Sequence, residues 1–273
     1  MNYLVPPACP LCRAPLHFYK GQTTPSLCGG CWRDIDFITA PLCYRTGVPL
    51  PYETSGAYET SEAYETNKHD TAKHTISLPA LLYPPPYHRA RAALYYGGAA
   101  AQLVRAFKFY DHPEIAPLLA QWMHRAGQDF WQQTPDETSH EPPNKKVWLI
   151  PVPLHRRRFL WRRYNQAAEL CRALSVYEDI PILFDALVRV QPTQRQVGLS
   201  RSQRLRNLGR AFQVRPSMVA ALQGARVILI DDVITTGTTI EACTKILKRA
   251  GVAQVDVLAA ARVVMPETYT RGK

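Results

Sequence analysis

The sequence predicts an α/β protein: a parallel sheet flanked by helices, with a small metal-built module ahead of it. Three observations carry this. From about residue 147 onward, short apolar β-branched runs alternate with helical patterns, which calls for parallel strands buried on both faces. One of these runs, Val227 to Ile230, leads directly into Asp231-Asp232 and a loop of small hydroxyl residues around Gly237. Near the start, four cysteines form two Cys-x₂-Cys pairs, Cys9/Cys12 and Cys28/Cys31.

At 273 residues, 46% of them hydrophobic, there is room for one good-sized core plus an accessory module. No stretch approaches the ~18 consecutive apolar residues of a membrane span. The first residues, Met1 to Cys9, lack a basic segment followed by an apolar run, so no signal peptide is expected. Seven cysteines are an odd number and four have metal spacing; the expected location is the reducing cytoplasm. The net charge of +11 is unevenly placed: residues 155–215 hold thirteen arginines, no lysine and four acids. Guanidinium forks grip phosphate bidentately, and a strongly basic balance favours nucleic acid or phosphorylated ligands. For any single arginine in that run, a solubilising surface role is the plainer reading.

The chain divides at residues 1–50, 51–78, 79–265 and 266–273. In the first segment, Cys-Pro-Leu-Cys and Cys-Gly-Gly-Cys are tight knuckles that bring thiolates to one side. Together they make a closed S₄ site for structural Zn²⁺ with Cys9, Cys12, Cys28 and Cys31 as ligands. Four thiolates leave no open coordination position, which argues against a catalytic zinc. In the second segment Tyr-Glu-Thr recurs at 52–54, 58–60 and 64–66, too few and too polar for a packed solenoid; a flexible linker is expected.

In the third segment Leu94-Tyr95-Tyr96-Gly97-Gly98 reads as strand and turn, followed by a helix from Ala100 to Phe107. A second helix is expected over Pro113–Ala126, burying Ile115, Leu118, Leu119 and Trp122. Gln132 to Lys146 has no periodicity and reads as a surface excursion. Val147 to Pro153 is the next strand, entering the basic loop His155-Arg156-Arg157-Arg158 and then a helix from about Asn165 to Leu174. A strand, a basic loop and a helix again face phosphate. His155 in such a loop is more often a satisfied polar residue than a general base. Phe184–Val190 and Val255–Val264 are further strands, and Gln191–Arg210 has too few apolar anchors to bury much.

The segment after Val227–Ile230 carries the chemistry. Its loop and following helix N-terminus offer unpaired N–H donors and threonine hydroxyls to an anion. Carboxylates repel phosphate, so Asp231 and Asp232 must face something else; ribose hydroxyls or a phosphate-bound Mg²⁺ fit.

These residues resemble the phosphoribosyl pyrophosphate (PRPP) signature of type I phosphoribosyltransferases, an apolar strand then Asp-Asp-Val-x-Thr-Thr-Gly-x-Thr. The resemblance implies that Asp231 and Asp232 meet the ribose hydroxyls, and are the acids of catalysis if the site turns over. It implies that Thr235, Thr236, Gly237, Thr238 and Thr239 cradle the 5′-phosphate. More widely the chain resembles the competence protein ComF family, including its GntX-type members. The resemblance rests on the cysteine knuckles, Phe107-Lys108-Phe109, Pro151-Val152-Pro153-Leu154-His155, Tyr164-Asn165-Gln166, Gln196-x₂-Leu199-Ser200 and Arg204-x₂-Asn207, besides the PRPP loop. One departure stands out: the family often carries a further Cys-x₂-Cys-Gly, and here the place reads Cys43-Tyr44-Arg45-Thr46-Gly47.

What the resemblance implies is a type I phosphoribosyltransferase-like sheet behind a double zinc-knuckle module, handling imported DNA in competence or in growth on DNA. Its ligands would be PRPP, with Mg²⁺, and single-stranded DNA or a partner such as a replication or recombination helicase. Lys108, His155, Arg156, Arg157, Arg158 and Arg204 are the expected contacts to pyrophosphate or nucleic acid. The alternative is an active Mg²⁺-dependent phosphoribosyltransferase of nucleotide salvage, with the acceptor unnamed.

Overall fold

The structure, a computed structural model, describes residues 8–16, 26–50, 57–60, 74–109, 112–131, 146–154, 165–190 and 211–264. Its centre is a four-stranded sheet. In chain order the strands are β1 (Ala57–Thr60), β2 (His74–Ser77), β3 (Ala90–Tyr95), β4 (Val147–Pro151), β5 (Leu187–Arg189), β6 (Phe212–Val214), β7 (Arg226–Ile234) and β8 (Gln254–Arg262). The helices are α1 (Gly29–Arg33), α2 (Leu78–Leu82), α3 (Gly98–Phe109), α4 (Ala116–Ala126), α5 (Gln128–Trp131), α6 (Gln166–Leu174), α7 (Val219–Leu222) and α8 (Thr238–Arg249). The central sheet has the order β3-β8-β7-β4 and every neighbouring pair is parallel.

The apolar runs are continuous because the sheet is covered twice. Ile228 and Ile230 of β7, Leu258 and Ala260 of β8 and Leu149 of β4 pack into one cluster with α3, α4 and α6. Their immediate neighbours Val227, Leu229, Val257, Ala259 and Ile150 face the other cluster, built on Ile240, Cys243 and Leu247 of α8 and on Leu187 and Phe212. Alternate residues pointing to opposite apolar layers keep the middle of these strands apolar, and the charged residues Arg226, Asp231, Asp232 and Asp256 fall toward the strand ends. Each valine, leucine or isoleucine of these layers contributes roughly 1.5–3 kcal/mol by leaving water.

The longer helices, α3, α4, α6 and α8, fall where periodicity predicts them. Ile115, Leu118, Leu119 and Trp122 are all buried, the first in a 3₁₀ turn over Pro113–Ile115 that leads into α4. Asn165 caps α6, its Oδ1 accepting from the Ala167 N–H at 3.1 Å. The expected strand at Phe184–Val190 shortens to β5, which pairs antiparallel with β6 outside the main sheet.

The metal module is packed onto this body. Trp32, Phe37 and Trp122 of α4 form a three-ring cluster with centroids 5.2 to 5.7 Å apart. Main-chain bonds Ile38 N–H to Ala93 O (2.9 Å), Tyr95 N–H to Asp36 O (3.0 Å) and Ala90 N–H to Arg45 O (2.9 Å) lay residues 36–45 along the outer edge of β3. An otherwise open sheet edge is thereby covered. The segment expected as a linker contains β1 and β2, paired antiparallel from Ala57↔Ser77 to Thr60↔His74. Tyr and Thr, which give the repeat its polar look, also favour strands, so composition misjudged these residues.

At the amino ends of the strands lies a buried charge network. Asp256 of β8 is wholly buried, 2.7 Å from Arg226 Nη2 and 3.3 Å from His88 Nδ1. Arg89 and Arg91 reach Asp129 of α5 and lie over the Phe130 ring. Desolvation pushes the Asp256 carboxyl up, but its bond to His88 and the charges of Arg226 and Arg89 outweigh this and hold it at about 2.

Candidate functional site

Among the described residues the Sγ atoms of Cys9, Cys12, Cys28 and Cys31 form the one cluster with the makings of a metal site, all within 4.8 Å of one another. Four sulfurs on a zinc ion at ≈ 2.3 Å stand about 3.8 Å apart, so a slight contraction makes the tetrahedron. Cys12 and Cys28 are already 3.5 Å apart, and the Cys31 N–H donates to Cys28 Sγ at 3.5 Å. Burial raises the Cys9 thiol, but the main-chain N–H groups of Cys12, Cys28 and Leu11 outweigh it and lower it to about 6. The four clustered sulfurs therefore fit Zn²⁺.

Cys43 belongs to a different setting. It is buried, and its Sγ accepts from the Ser77 N–H and from Ser77 Oγ, each at 3.3 Å. Burial raises this thiol, yet the Ser77 and Thr46 donors prevail and hold it below its ordinary value. Gly47 closes the turn at φ +65°, with an added Cβ only 2.2 Å from Ala90 O. The turn keeps the shape of a knuckle while hydroxyl donors hold its sulfur.

The second candidate site sits at the carboxyl end of β7. Asp231 and Asp232 are its sixth and seventh residues, both partly buried, and the Asp232 N–H donates to Asp231 Oδ1 at 2.8 Å. Loss of water and the neighbouring Asp232 charge push Asp231 up to about 8, against the pull of Lys108 and that N–H. Lys108, from the last turn of α3, places Nζ 2.9 Å from Asp232 Oδ1. Its carbonyl accepts from Gln166 Nε2 at 3.3 Å.

The loop beyond the acids suits an anion. Gly237 takes φ +75°, a left-handed conformation that other residues adopt only with strain, and stands as N-cap of α8. No side chain caps this helix, so its first N–H groups keep their donor capacity. Thr235 and Thr236 are exposed, Thr238 and Thr239 half-buried, and Thr236 Oγ1 lies 2.8 Å from Thr238 Oγ1. The helix dipole adds positive potential here.

The structure thus brings Lys108 to the acids, beside the threonine loop. His155, Arg156, Arg157, Arg158 and Arg204 lie outside the described residues. Gln166 was not singled out for this site from sequence. It is 1% exposed, its Oε1 has no partner, and its amide holds the end of α3 beside the acids. Its sequence signals were its place after the Asn165 cap and in the Tyr164-Asn165-Gln166 motif, neither of which points to the acids.

A cleft of about 550 Å³ lies between the cysteine knuckles and the start of α3, lined by Cys12, Cys31, Arg33, Asp36, Gly98 and Gln102. The same helix therefore begins at the metal module and ends at the acidic pair.

A parallel sheet with this loop at its carboxyl end, behind four clustered cysteines, defines a phosphoribosyltransferase-type domain joined to a zinc ribbon. Residues 165–264 match the phosphoribosyl transferase domain and residues 1–62 the double zinc ribbon domain. The chain is 32% identical over 255 residues to Competence protein F of Haemophilus influenzae, covering 93% of this chain and 96% of that one. It is 30% identical over 258 residues to DNA utilization protein YhgH of Shigella flexneri, with the same coverage. The chain belongs to the competence protein F family. Among solved structures, an allosteric regulatory enzyme of purine biosynthesis is 15% identical, at a TM-score of 0.35 over 57% of this chain and 30% of that one. No helix among the described residues is long and apolar enough to cross a membrane.

Proposed function

We propose that this protein binds PRPP, or a close phosphoribosyl relative, at Asp231–Thr239 and serves the use of imported DNA. The observation that carries the reading is the coincidence of two acids with an uncapped helix N-terminus across one left-handed glycine. Acids at the strand end accept from the ribose 2′- and 3′-hydroxyls, while the Thr235–Thr239 loop donates to the 5′-phosphate. The DNA role rests on the names of the relatives and on the arginine-rich stretch of residues 155–215. On this reading those arginines track a nucleic-acid backbone, and the zinc ribbon serves as an adapter toward a helicase or similar partner.

Two measurements test it. Calorimetric titration of the zinc-loaded protein with PRPP and Mg²⁺ should show one site, lost in an Asp231→Asn, Asp232→Asn double variant. Binding to a single-stranded oligonucleotide, followed by fluorescence anisotropy, should fall steeply with salt, because each phosphate contact releases a counterion. A flat salt response, or no loss on replacing Arg156, Arg157 and Arg158 together, would remove nucleic acid from the proposal. Pyrophosphate release from PRPP in the presence of bases or amines would establish turnover.

A further inference from the structure

Lys108 lies outside the segment that matches the phosphoribosyl transferase domain, yet its ammonium sits on the acidic pair. Its position is built rather than incidental. Phe107 beside it is wholly buried, which fixes the last turn of α3 in the core. Gln166 Nε2 holds the Lys108 carbonyl, and Gln166 opens α6, itself tied to the residue just past β4 when Asn165 Nδ2 donates to Val152 O at 3.3 Å. Side-chain exposure at the ion pair is 18% for Lys108 and 13% for Asp232, so the two charges meet with little water between them.

We propose that Lys108 is a built-in counter-cation for the ribose-facing acids, so that this site takes pentose 5-phosphates without a divalent metal. The proposal rests on the reading of Asp231–Thr239 as a phosphoribosyl site and narrows its ligand class. Ribose hydroxyls are neutral donors and ask only for acceptors; what the Asp232 carboxylate beside Asp231 needs is a balancing charge. A magnesium ion in such sites is bound through one or two carboxylates plus substrate phosphates. A pentose 5-phosphate carries its one phosphate at the far end, on the threonine loop, and brings no second phosphate to anchor an ion beside the acids. The ammonium supplies the charge permanently.

The test is calorimetry of the full chain, zinc-loaded, with ribose 5-phosphate in magnesium-free buffer and again with Mg²⁺. Wild-type affinity should agree between the two buffers. Lys108→Met should lose about tenfold or more without Mg²⁺, a change equal to about 1.4 kcal/mol, while Lys108→Arg should stay within about threefold. A wild type that needs Mg²⁺ for ribose 5-phosphate, or a Lys108→Met variant that binds as well as wild type, overturns the proposal and leaves the site reading standing. Failure of both ribose 5-phosphate and PRPP to bind in either buffer overturns the site reading and the proposal together. Should Lys108→Met fail to fold, the wild-type comparison between buffers still decides.

Discussion

Arg226 and Asp256, on neighbouring strands, meet at 2.7 Å where the sheet begins, at the opposite end from Asp231. Asp256 is fully buried and also engaged by His88 and Gln254. Asp256→Asn leaves the Arg226 charge uncompensated in the interior and should cost about 3 kcal/mol or more in denaturant unfolding at neutral pH. Because the folded carboxyl lies at about 2, below its unfolded value, its stabilising share is present above about pH 4. That share is lost as pH falls through about 2, so wild type and variant should converge in acid. A constant gap from pH 7 to pH 2 would contradict the network.

Asp231 should behave the opposite way. Its folded value of about 8 is above the unfolded one, so its carboxyl favours folding only while protonated, fully so below about pH 4. Stability falls as pH rises from there through about 8. Asp231→Asn should therefore raise stability by about 1 kcal/mol at pH 9, less at pH 7 and not at all at pH 4, while abolishing PRPP binding. Thermal unfolding at the three pH values checks the first claim, and calorimetry the second.

Gly237→Ala tests the anion loop. A Cβ there meets nothing within 4 Å, so the cost is conformational, from φ +75°. About 1 kcal/mol of stability should go, with a larger proportional loss in phosphate affinity because the loop donors are re-aimed. Equal affinity for PRPP in the variant would remove the loop from the binding site.

The metal module should hold one zinc per chain, although the matching domain is a double ribbon. Elemental analysis of the purified protein gives the count. Cys43→Ser should leave it unchanged, whereas Cys12→Ser should lower it. Chelation should also change tryptophan fluorescence, since Trp32 and Trp122 meet edge to face where the module meets α4. Two zinc ions per chain would overturn the reading of Cys43 as a hydrogen-bonded sulfur.

Much of this was legible in the sequence because it is written in local periods. The run Val227–Ile230 declares a strand covered on both faces, and Asn165 announces α6. The cysteine spacing is likewise a local signal, and the four sulfurs do cluster. What stayed hidden are pairings between distant segments. Nothing near Lys108 indicates that its ammonium will find Asp232, nor does residue 57 advertise a partner at residue 77. Asp256 showed only as an acid in an apolar strand; its partners Arg226, His88 and Arg89 come from elsewhere in the chain.

Helix α3 is about 18 Å long, with Gly98 at the cleft beside Cys12 and Cys31 and Lys108 at Asp232. A rod fixed at both ends makes metal loading a hidden variable of any solution experiment. Two preparations with identical sequence but different zinc occupancy are expected to differ in ligand affinity, and equal affinities by calorimetry would show that the two ends of α3 act independently. Zinc content therefore belongs beside protein concentration in every titration of this molecule.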